Sequence, residues 1–216
     1  MTVAVVIQAR MGSTRLPGKM MRICHGRTLL SRVIESCQQA ARPNVVIVAT
    51  TIRRADDVLA EHAKLHKVVV YRGSDEDVLG RICGAATTMG VSGVVRVCGD
   101  SPCMSAERID GLIDTWESHH MDYGGYTLDP EGVPAILAKK GSFPEFISTR
   151  ALQTAAEEDH REAAREHVTL PWYNTEENEW HCVWISAGHI DEYVKLDVDT
   201  EDDLTNMDEY LCQMLE

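Results

Sequence analysis

Residues 3–19 read VAVVIQARMGSTRLPGK and join a short apolar run to a polar loop. Val3 to Ile7 are β-branched or small, which is typical of a buried strand in a parallel sheet. The loop that follows carries cations, hydroxyls and glycines: Arg10, Arg15, Lys19, Ser13, Thr14, Gly12 and Gly18. Glycines let a backbone approach a ligand closely, and fixed cations with free N–H groups bind phosphate oxygens. The stretch therefore predicts a phosphate-binding loop at the end of a strand.

Strand and helix patterns then alternate along the first half of the chain. Apolar runs predict strands at 3–8, 45–50, 68–71 and 94–98, and helical spacing predicts helices at 28–40, 55–67, 75–89 and 105–118. Ser74 is the expected N-cap of the third helix. Such an alternation predicts right-handed βαβ units and a parallel sheet covered on both faces. Ligands bind at the carboxyl ends of such strands, where the loops 8–19, 72–77 and 99–102 fall.

From about residue 121 the pattern changes to shorter elements. It predicts strands at 122–127, 133–138, 143–148, 181–187 and 193–198, a helix at 149–167, a loop at 171–180 and a closing helix at 200–214. A chain of 216 residues fits one domain. We therefore expect a single domain, 1–216, in which 121–190 is an inserted subregion that shapes an acceptor pocket or a dimer interface.

Composition narrows the class of protein. The chain is 44% hydrophobic and 25% charged, which is ordinary for a soluble globular protein. A formal net charge of -13 argues against a nucleic-acid binder. Seven scattered cysteines without a CxxC pair predict reduced thiols and a cytoplasmic protein. The apolar run Val3 to Ile7 is too short for a signal core or a membrane span, so we expect no membrane insertion.

The N-terminal loop does not fit the common nucleotide-binding patterns. Gly12 and Gly18 enclose five residues, one more than a P-loop has, and Met20 occupies the Ser/Thr position that would hold magnesium. The loop also lacks the G-x-G-x-x-G spacing of dinucleotide-binding folds. The remaining interpretation is a cationic loop that binds an anionic ligand. A solvated basic loop is the simpler alternative.

Two acidic motifs are candidates for a metal site. Asp100 lies at the predicted strand end in VRVCGDSP, residues 95–102, where a lone aspartate would normally be a turn residue. Asp197 and Asp199 lie in KLDVDTEDDL, residues 195–204, and their alternation places both on one face of a strand end. Clustered carboxylates beside a phosphate cradle need a cation between them, and hard oxygen ligands indicate Mg²⁺.

Five motifs in this order resemble the cytidylyltransferase family: QARMGSTRLPGK, YRGSDEDVLGR, GDSP, REHVT and LDVDTEDDL. The family includes CMP-Kdo and CMP-sialic acid synthetases, and the chain is most similar to the spore coat polysaccharide biosynthesis type. The resemblance implies a three-layer α/β nucleotidyltransferase (Rossmann-like) fold, with a mostly parallel central sheet and a small inserted α+β subregion. It also implies magnesium-dependent transfer of CMP from CTP to a sugar acid or similar acidic acceptor with release of pyrophosphate, for surface polysaccharide or glycoconjugate biosynthesis. A homodimer is the expected assembly.

The resemblance further implies roles for individual residues. The catalytic residues would be Arg10, Arg15, Lys19 and Asp100. The nucleotide would be bound by Gln8, Ala9, Arg10, Gly12, Ser13, Arg15, Lys19, Arg72, Ser74 and Cys98, with Arg72 and Ser74 near the cytosine or ribose. The acceptor would meet Glu145, Arg165 and His167. The metal ligands would be Asp100 and Asp199, with Asp197 as a second carboxylate beside them.

Two alternatives remain open at the level of sequence. The first is a nucleotidyltransferase that uses another NTP, because Cys98 stands where the Kdo-type enzymes carry a glutamine that meets the base. The second is a non-catalytic nucleotide-binding regulatory homologue. His62 and His66 are four residues apart on a predicted helix, but no third ligand accompanies them, so we expect no zinc site there.

Overall fold

A computed structural model of the chain describes residues 1–128, 133–138, 142–173, 180–187 and 195–215. Its strands are β1 (Val3–Gln8), β2 (Ile23–Cys24), β3 (Arg27–Thr28), β4 (Val45–Thr51), β5 (Val69–Gly73), β6 (Gly93–Cys98), β7 (Tyr123–Thr127), β8 (Glu145–Ser148) and β9 (Cys182–Ser186). Its α-helices are α1 (Leu29–Gln38), α2 (Asp57–Leu65), α3 (Val78–Met89), α4 (Ala106–His119), α5 (Thr149–Glu158), α6 (Glu162–His167), α7 (Leu170–Tyr173) and α8 (Glu201–Leu215). Short 3-10 turns cover Lys19–Met21, Arg54–Asp56 and Ala135–Ala138.

In the described part of the chain, seven strands form one sheet in the order β5-β4-β1-β6-β8-β7-β9. The pairs β5-β4, β4-β1, β1-β6 and β7-β9 are parallel, and β8 runs antiparallel to both of its neighbours. Separate apolar clusters cover the two faces, one with residues of α1, α4 and α8 and the other with residues of α3 and α5. The predicted three-layer α/β fold with a mostly parallel sheet is therefore confirmed. No helix among the described residues is long and apolar enough to cross a membrane.

The start of α3 differs from the predicted one. The helix begins at Val78, because Asp77 is its N-cap and accepts a hydrogen bond from the Gly80 N–H at 2.7 Å. Ser74 lies one turn earlier, where its Oγ accepts from the Asp77 N–H at 3.2 Å. Both are good N-cap residue types, and the sequence pattern alone favoured the wrong one.

The region after residue 121 departs from the predicted elements in several places. The strand at 133–138 is wrong, because Ala135–Ala138 form a 3-10 turn after Pro134. The helix at 149–167 is two helices, since Asp159 is extended and ends α5. Residues 171–173 of the predicted loop continue α7, and residues 195–198 are not a strand. The rest of that strand, 193–194, and residues 174–179 of the loop lie outside the described residues.

The strands of this region belong to the main sheet. β8 pairs with β6, and β7 and β9 extend the same sheet outward. The proposed role of 121–190 in acceptor binding or dimerisation stays a prediction.

Candidate active site

The loop after β1 is held by contacts to the neighbouring strand and the turn that follows it. The Ala9 N–H donates to the Ala49 carbonyl at 3.2 Å, and the Met11 N–H donates to Asp56 Oδ1 at 2.7 Å. Asp56 is buried and also accepts from the Thr51 hydroxyl. These bonds fix the backbone of the cationic loop before any ligand binds.

The end of the same loop turns Lys19 toward β6. Gly18 has φ +69°, in the left-handed region that glycine adopts without strain, and it precedes the turn Lys19–Met21. Lys19 Nζ then donates to Asp100 Oδ2 at 2.9 Å, to Asp199 Oδ1 at 3.1 Å and to the Val198 carbonyl at 3.1 Å. The cation of the N-terminal loop therefore meets the carboxylates of both acidic motifs.

Asp199 forms a second ion pair, with Arg15 Nη2 at 2.9 Å. Burial by itself would lower the pKa of Lys19, but Asp100 and Asp199 outweigh that effect and raise it, so the ammonium stays charged. Two cations and two carboxylates thus share one small region at the carboxyl ends of β1 and β6.

A close backbone approach sets the position of Asp100. A Cβ at Gly99 would lie 2.7 Å from the Gln8 carbonyl oxygen, so only glycine fits there without moving the main chain. The Gly99 N–H donates to that same oxygen at 2.9 Å. The Val198 N–H donates to the Asp100 carbonyl at 2.9 Å and brings the segment 195–200 to the end of β6. The second bond joins the sequence motifs at 99–102 and 196–204, and the first holds the end of β6 against β1.

A cavity of about 430 Å³ opens above these residues. Its walls include most of the residues that the sequence assigned to the nucleotide and the metal, namely Gln8, Ala9, Arg10, Gly12, Ser13, Arg15, Lys19, Cys98, Asp100 and Asp199. We call this space the first cavity. Burial raises the pKa of the Cys98 thiol to about 11, so this wall carries a neutral thiol at physiological pH.

A second space of about 390 Å³ shares part of that wall. Beyond the shared residues it is lined by Val78, Arg81, Arg96, His167 and Asp197. We call it the second compartment. Of the three residues predicted to meet the acceptor, His167 lines the second compartment, whereas Glu145 and Arg165 line neither space.

Arg72 and Ser74 are not brought to either space, against the sequence-based assignment to the cytosine or ribose. The Arg72 guanidinium donates from Nε to the Thr51 carbonyl at 2.8 Å, from Nη2 to the Arg53 carbonyl at 2.9 Å and from Nη1 to Asp57 Oδ1 at 2.6 Å. All three nitrogens are therefore engaged in joining β4, β5 and α2.

Glu145 is likewise placed away from both spaces. Its carboxylate is buried and paired with Arg96, and it accepts from the hydroxyls of Tyr123 at 2.6 Å and Tyr173 at 2.8 Å. In this structure the Glu145 carboxylate is therefore bound by Arg96 and two tyrosines and is not directed at either space.

Arg165 also points elsewhere. Its Nη1 donates to Asp77 Oδ2 at 3.1 Å and its Nη2 donates to the Ala156 carbonyl at 2.6 Å. These bonds join α6 to α5 and to the start of α3.

Among the described residues that line these spaces, three charged ones were not assigned from the sequence. Arg81 and Arg96 line the second compartment, and Glu166 lines both spaces, with Oε1 3.7 Å from Arg10 Nη2. Arg81 ends the motif YRGSDEDVLGR and falls on the apolar face of α3, while Arg96 interrupts a β-branched strand. A charge at an inward position was the available signal.

The acidic residues fit a hard divalent cation. Asp100 and Asp199 both direct an oxygen at one ammonium, and Asp197 has a buried Oδ1 without a hydrogen-bond partner. Burial raises the pKa of Asp197 to about 6; Lys195 opposes this, while Asp100 and Asp199 add to it. No three His, Cys, Asp or Glu side chains of the described residues are close enough to hold a metal alone. Mg²⁺ typically binds through one or two carboxylates and substrate phosphates, so the set fits it.

A parallel sheet whose strand ends hold a cationic loop against paired carboxylates defines a nucleotidyltransferase-type site. A model of the cytidylyltransferase family matches residues 4–215. The spore coat polysaccharide biosynthesis protein SpsF of Bacillus subtilis (strain 168) is 32% identical over 170 residues, which cover 76% of this chain and 67% of that protein. The chain belongs to the cytidylyltransferase family, as its sequence motifs predicted.

Solved structures agree on the fold. A cytidylyltransferase from Leptospira borgpetersenii serovar Hardjo-bovis (strain JB197) superposes with a TM-score of 0.83 at 24% identity, over 100% of this chain and 95% of that one. A CMP:2-keto-3-deoxy-manno-octonic acid synthetase complexed with CTP gives 0.74 at 17% identity, over 99% and 100%. These structures confirm the fold, and the predicted cytidylyltransferase family is confirmed by the family model and by the similarity to SpsF. The chain spans between 44% and 67% of the length of the first curated relatives it matches.

Proposed function

We propose that this protein transfers CMP from CTP to a sugar acid or similar acidic acceptor and releases pyrophosphate, in the synthesis of a surface polysaccharide or glycoconjugate. The observation that carries the proposal is the contact of Lys19 with both Asp100 and Asp199 in the wall of the first cavity. Family membership and the relative named for polysaccharide biosynthesis support the reaction class.

The chain's own residues account for the charge of the substrate. A triphosphate in the first cavity would meet Arg10, Arg15 and Lys19, which neutralise it and stabilise the leaving pyrophosphate. When a nucleotide binds, its phosphates would take the place of the carboxylates that pair with Lys19 and Arg15 in this structure. The acceptor oxygen attacks the α-phosphorus, the bond to the bridging oxygen breaks, and pyrophosphate departs with that oxygen.

Asp100 and Asp199 would hold Mg²⁺, with Asp197 beside them. Bound there, the ion would polarise the α-phosphate. Divalent-metal dependence is typical of this family, and the choice of Mg²⁺ rests on the hard oxygen ligands. His167 is the acceptor-side residue that we retain, because it lines the second compartment.

A location in the cytoplasm and a homodimer formed through 121–190 belong to the same proposal. Sedimentation of the purified protein at several concentrations tests the assembly, and a monomer at all of them would contradict it.

Pyrophosphate release tests the reaction. Each NTP is incubated with Mg²⁺ and a panel of acidic sugars, and we expect turnover with CTP and one of them. Another NTP preferred over CTP would favour the broader nucleotidyltransferase. CTP binding without turnover on any acceptor would favour a regulatory homologue.

The metal assignment has its own test. Asp100→Asn is expected to lower kcat about 10²-fold or more and to weaken the binding of Mn²⁺, used as an electron paramagnetic resonance probe in the presence of CTP. Unchanged Mn²⁺ binding and unchanged turnover would contradict the assignment.

A further inference from the structure

Two buried guanidinium groups line the second compartment, and they differ in their partners. Arg81 is 3% exposed and Arg96 is 6% exposed. Arg96 donates from Nε to Gln8 Oε1 at 3.0 Å and from Nη1 to the Glu145 carboxylate. Its charge is compensated inside the protein, so its position is structural.

Arg81 has no such paired carboxylate. Among the described residues its guanidinium has one acceptor, the Ser74 carbonyl at Nη1, and its buried Nε has no partner. No carboxylate among the described residues forms an ion pair with it. The nearest ones are bound elsewhere: Asp75 to Arg10 and Arg53, Asp56 to the Met11 N–H, and Asp77 to the Gly80 N–H and Arg165.

A buried cation without a directly paired carboxylate is costly for the folded protein, and such strain is characteristic of ligand-binding positions. The Arg81 side chain packs closely against the backbone at Gly73, where an added Cβ would lie only 3.0 Å from Arg81 Cγ. This contact limits the movement of the side chain. The bond from Nη1 leaves the Nε and Nη2 edge without an acceptor in the part of the chain that the structure describes. That edge carries two parallel N–H donors, which match the two oxygens of a carboxylate or the paired oxygens of a phosphate.

We propose that Arg81 binds an anionic group, a carboxylate or a phosphate, on the substrate that receives the nucleotide, and that it thereby determines which acceptor is used. The inference rests on the proposed transfer reaction. The first cavity has its own cations and is not lined by Arg81, so the anion in the second compartment is assigned to the second substrate.

The side-chain N–H signals of the two arginines test the proposal directly. Protein with ¹⁵N-labelled arginine is saturated with Mg²⁺ and a CTP analogue whose α and β phosphorus atoms are joined by a methylene group. Arg81→Lys and Arg96→Lys identify the two Nε–H signals by their loss. Acetate is then titrated as the carboxylate probe and acetamide as its neutral counterpart.

We expect acetate to shift the Arg81 Nε–H signal saturably and acetamide to leave it in place. The Arg96 signal is the internal control and should not move, because its Nε–H is already bound to Gln8. Equal effects of acetate and acetamide on Arg81 would overturn the proposal. If the CTP analogue alone shifts the Arg81 signal and acetate adds nothing, the anion is a nucleotide phosphate, and the assignment to the second substrate is wrong.

Kinetics provide the second arm once an acceptor is known from the pyrophosphate assay. Arg81→Met should raise the KM of that acceptor about tenfold or more and leave the Kd of CTP within about threefold, with partial recovery in Arg81→Lys. An unchanged acceptor KM in an active Arg81→Met enzyme would overturn the proposal. Failure of the transfer reaction would be seen separately, as wild-type protein that binds CTP without pyrophosphate release, and the acetate titration would still be interpretable.

Discussion

Replacement of Glu145 by glutamine separates a structural role from a role in acceptor binding. The side chains of Arg96 and Glu145 are 7% and 3% exposed, so the change leaves a positive charge inside the protein without its partner. Breaking such a pair from one side costs about 3–5 kcal/mol. Glutamine keeps the shape and can still accept from the hydroxyls of Tyr123 and Tyr173, which places the expected loss near the lower end, about 3 kcal/mol.

Urea unfolding and thermal unfolding measure this loss. For a chain of this size, each kcal/mol shifts the Tm by about 2–4 °C, so Glu145→Gln should lower it by about 6–12 °C. Glu117→Gln is the matched control, because Glu117 pairs with Arg42 at the surface, where the side chains are 45% and 41% exposed. Its expected effect is below about 1 kcal/mol.

A double replacement adds a second check. Arg96→Met with Glu145→Leu removes both charges and should recover much of the loss, since a buried ion pair is rarely better than apolar groups of similar volume. The reasoning would be refuted by a Glu145→Gln protein of wild-type stability with a raised KM for the acceptor. That result would restore the sequence-based assignment of Glu145 to the acceptor.

Two further predictions concern the backbone of the site and the surface of α2. Gly99→Ala should lower activity about 10²-fold, because the added Cβ displaces Asp100 by up to about 1 Å. Gly12→Ala is the control and should leave the Tm unchanged, because nothing lies within 4 Å of its Cβ. Equal Tm and kcat in Gly99→Ala and wild type would contradict this prediction. Burial, with a smaller effect of His66, lowers the pKa of His62 below 6.5. Because the unfolded chain then binds the proton more readily than the folded one, the free energy of unfolding should be highest above pH 6.5 and fall as the pH drops through that value. A His62→Gln protein should lose part of this slope in urea titrations between pH 7 and 5, and an unchanged slope would count against the assignment.

The fold was largely predictable because its signals are local. The β-branched runs of β1, β4 and β6 and the apolar spacing of the helices between them indicate a parallel sheet without further information. The start of α3 was not, because Ser74 and Asp77 are both good caps and tertiary contacts decide between them. Asp77 is also bound by Arg165, which lies 88 residues further along the chain.

In the candidate site, too, local signals were the predictable ones. Arg10 and Asp100 each come shortly after a strand, and the structure brings both to the first cavity because the ends of parallel strands meet at one edge of the sheet. The surroundings of Glu145 were not predictable, because its carboxylate is bound by Arg96, 49 residues away, and by two tyrosine hydroxyls. The position of Arg72 was not predictable for a similar reason, since three acceptors around β4 engage its guanidinium.

The different roles of Arg81 and Arg96 follow from their partners and cannot be predicted from sequence or from burial alone. Both are arginines at inward positions, and sequence indicates only that two charges lie inside. Arg96 is paired with a carboxylate, and Arg81 is directly paired with none among the described residues. Removal of the two charges should therefore affect stability differently. Arg96→Met leaves Glu145 unpaired and should lower the free energy of unfolding by about 3–5 kcal/mol. Arg81→Met removes a buried charge that has no directly paired carboxylate and should keep or raise the free energy of unfolding, while acceptor binding is lost, which is the usual trade-off at a binding site. Comparable destabilisation by both changes would show that Arg81 is paired within the protein.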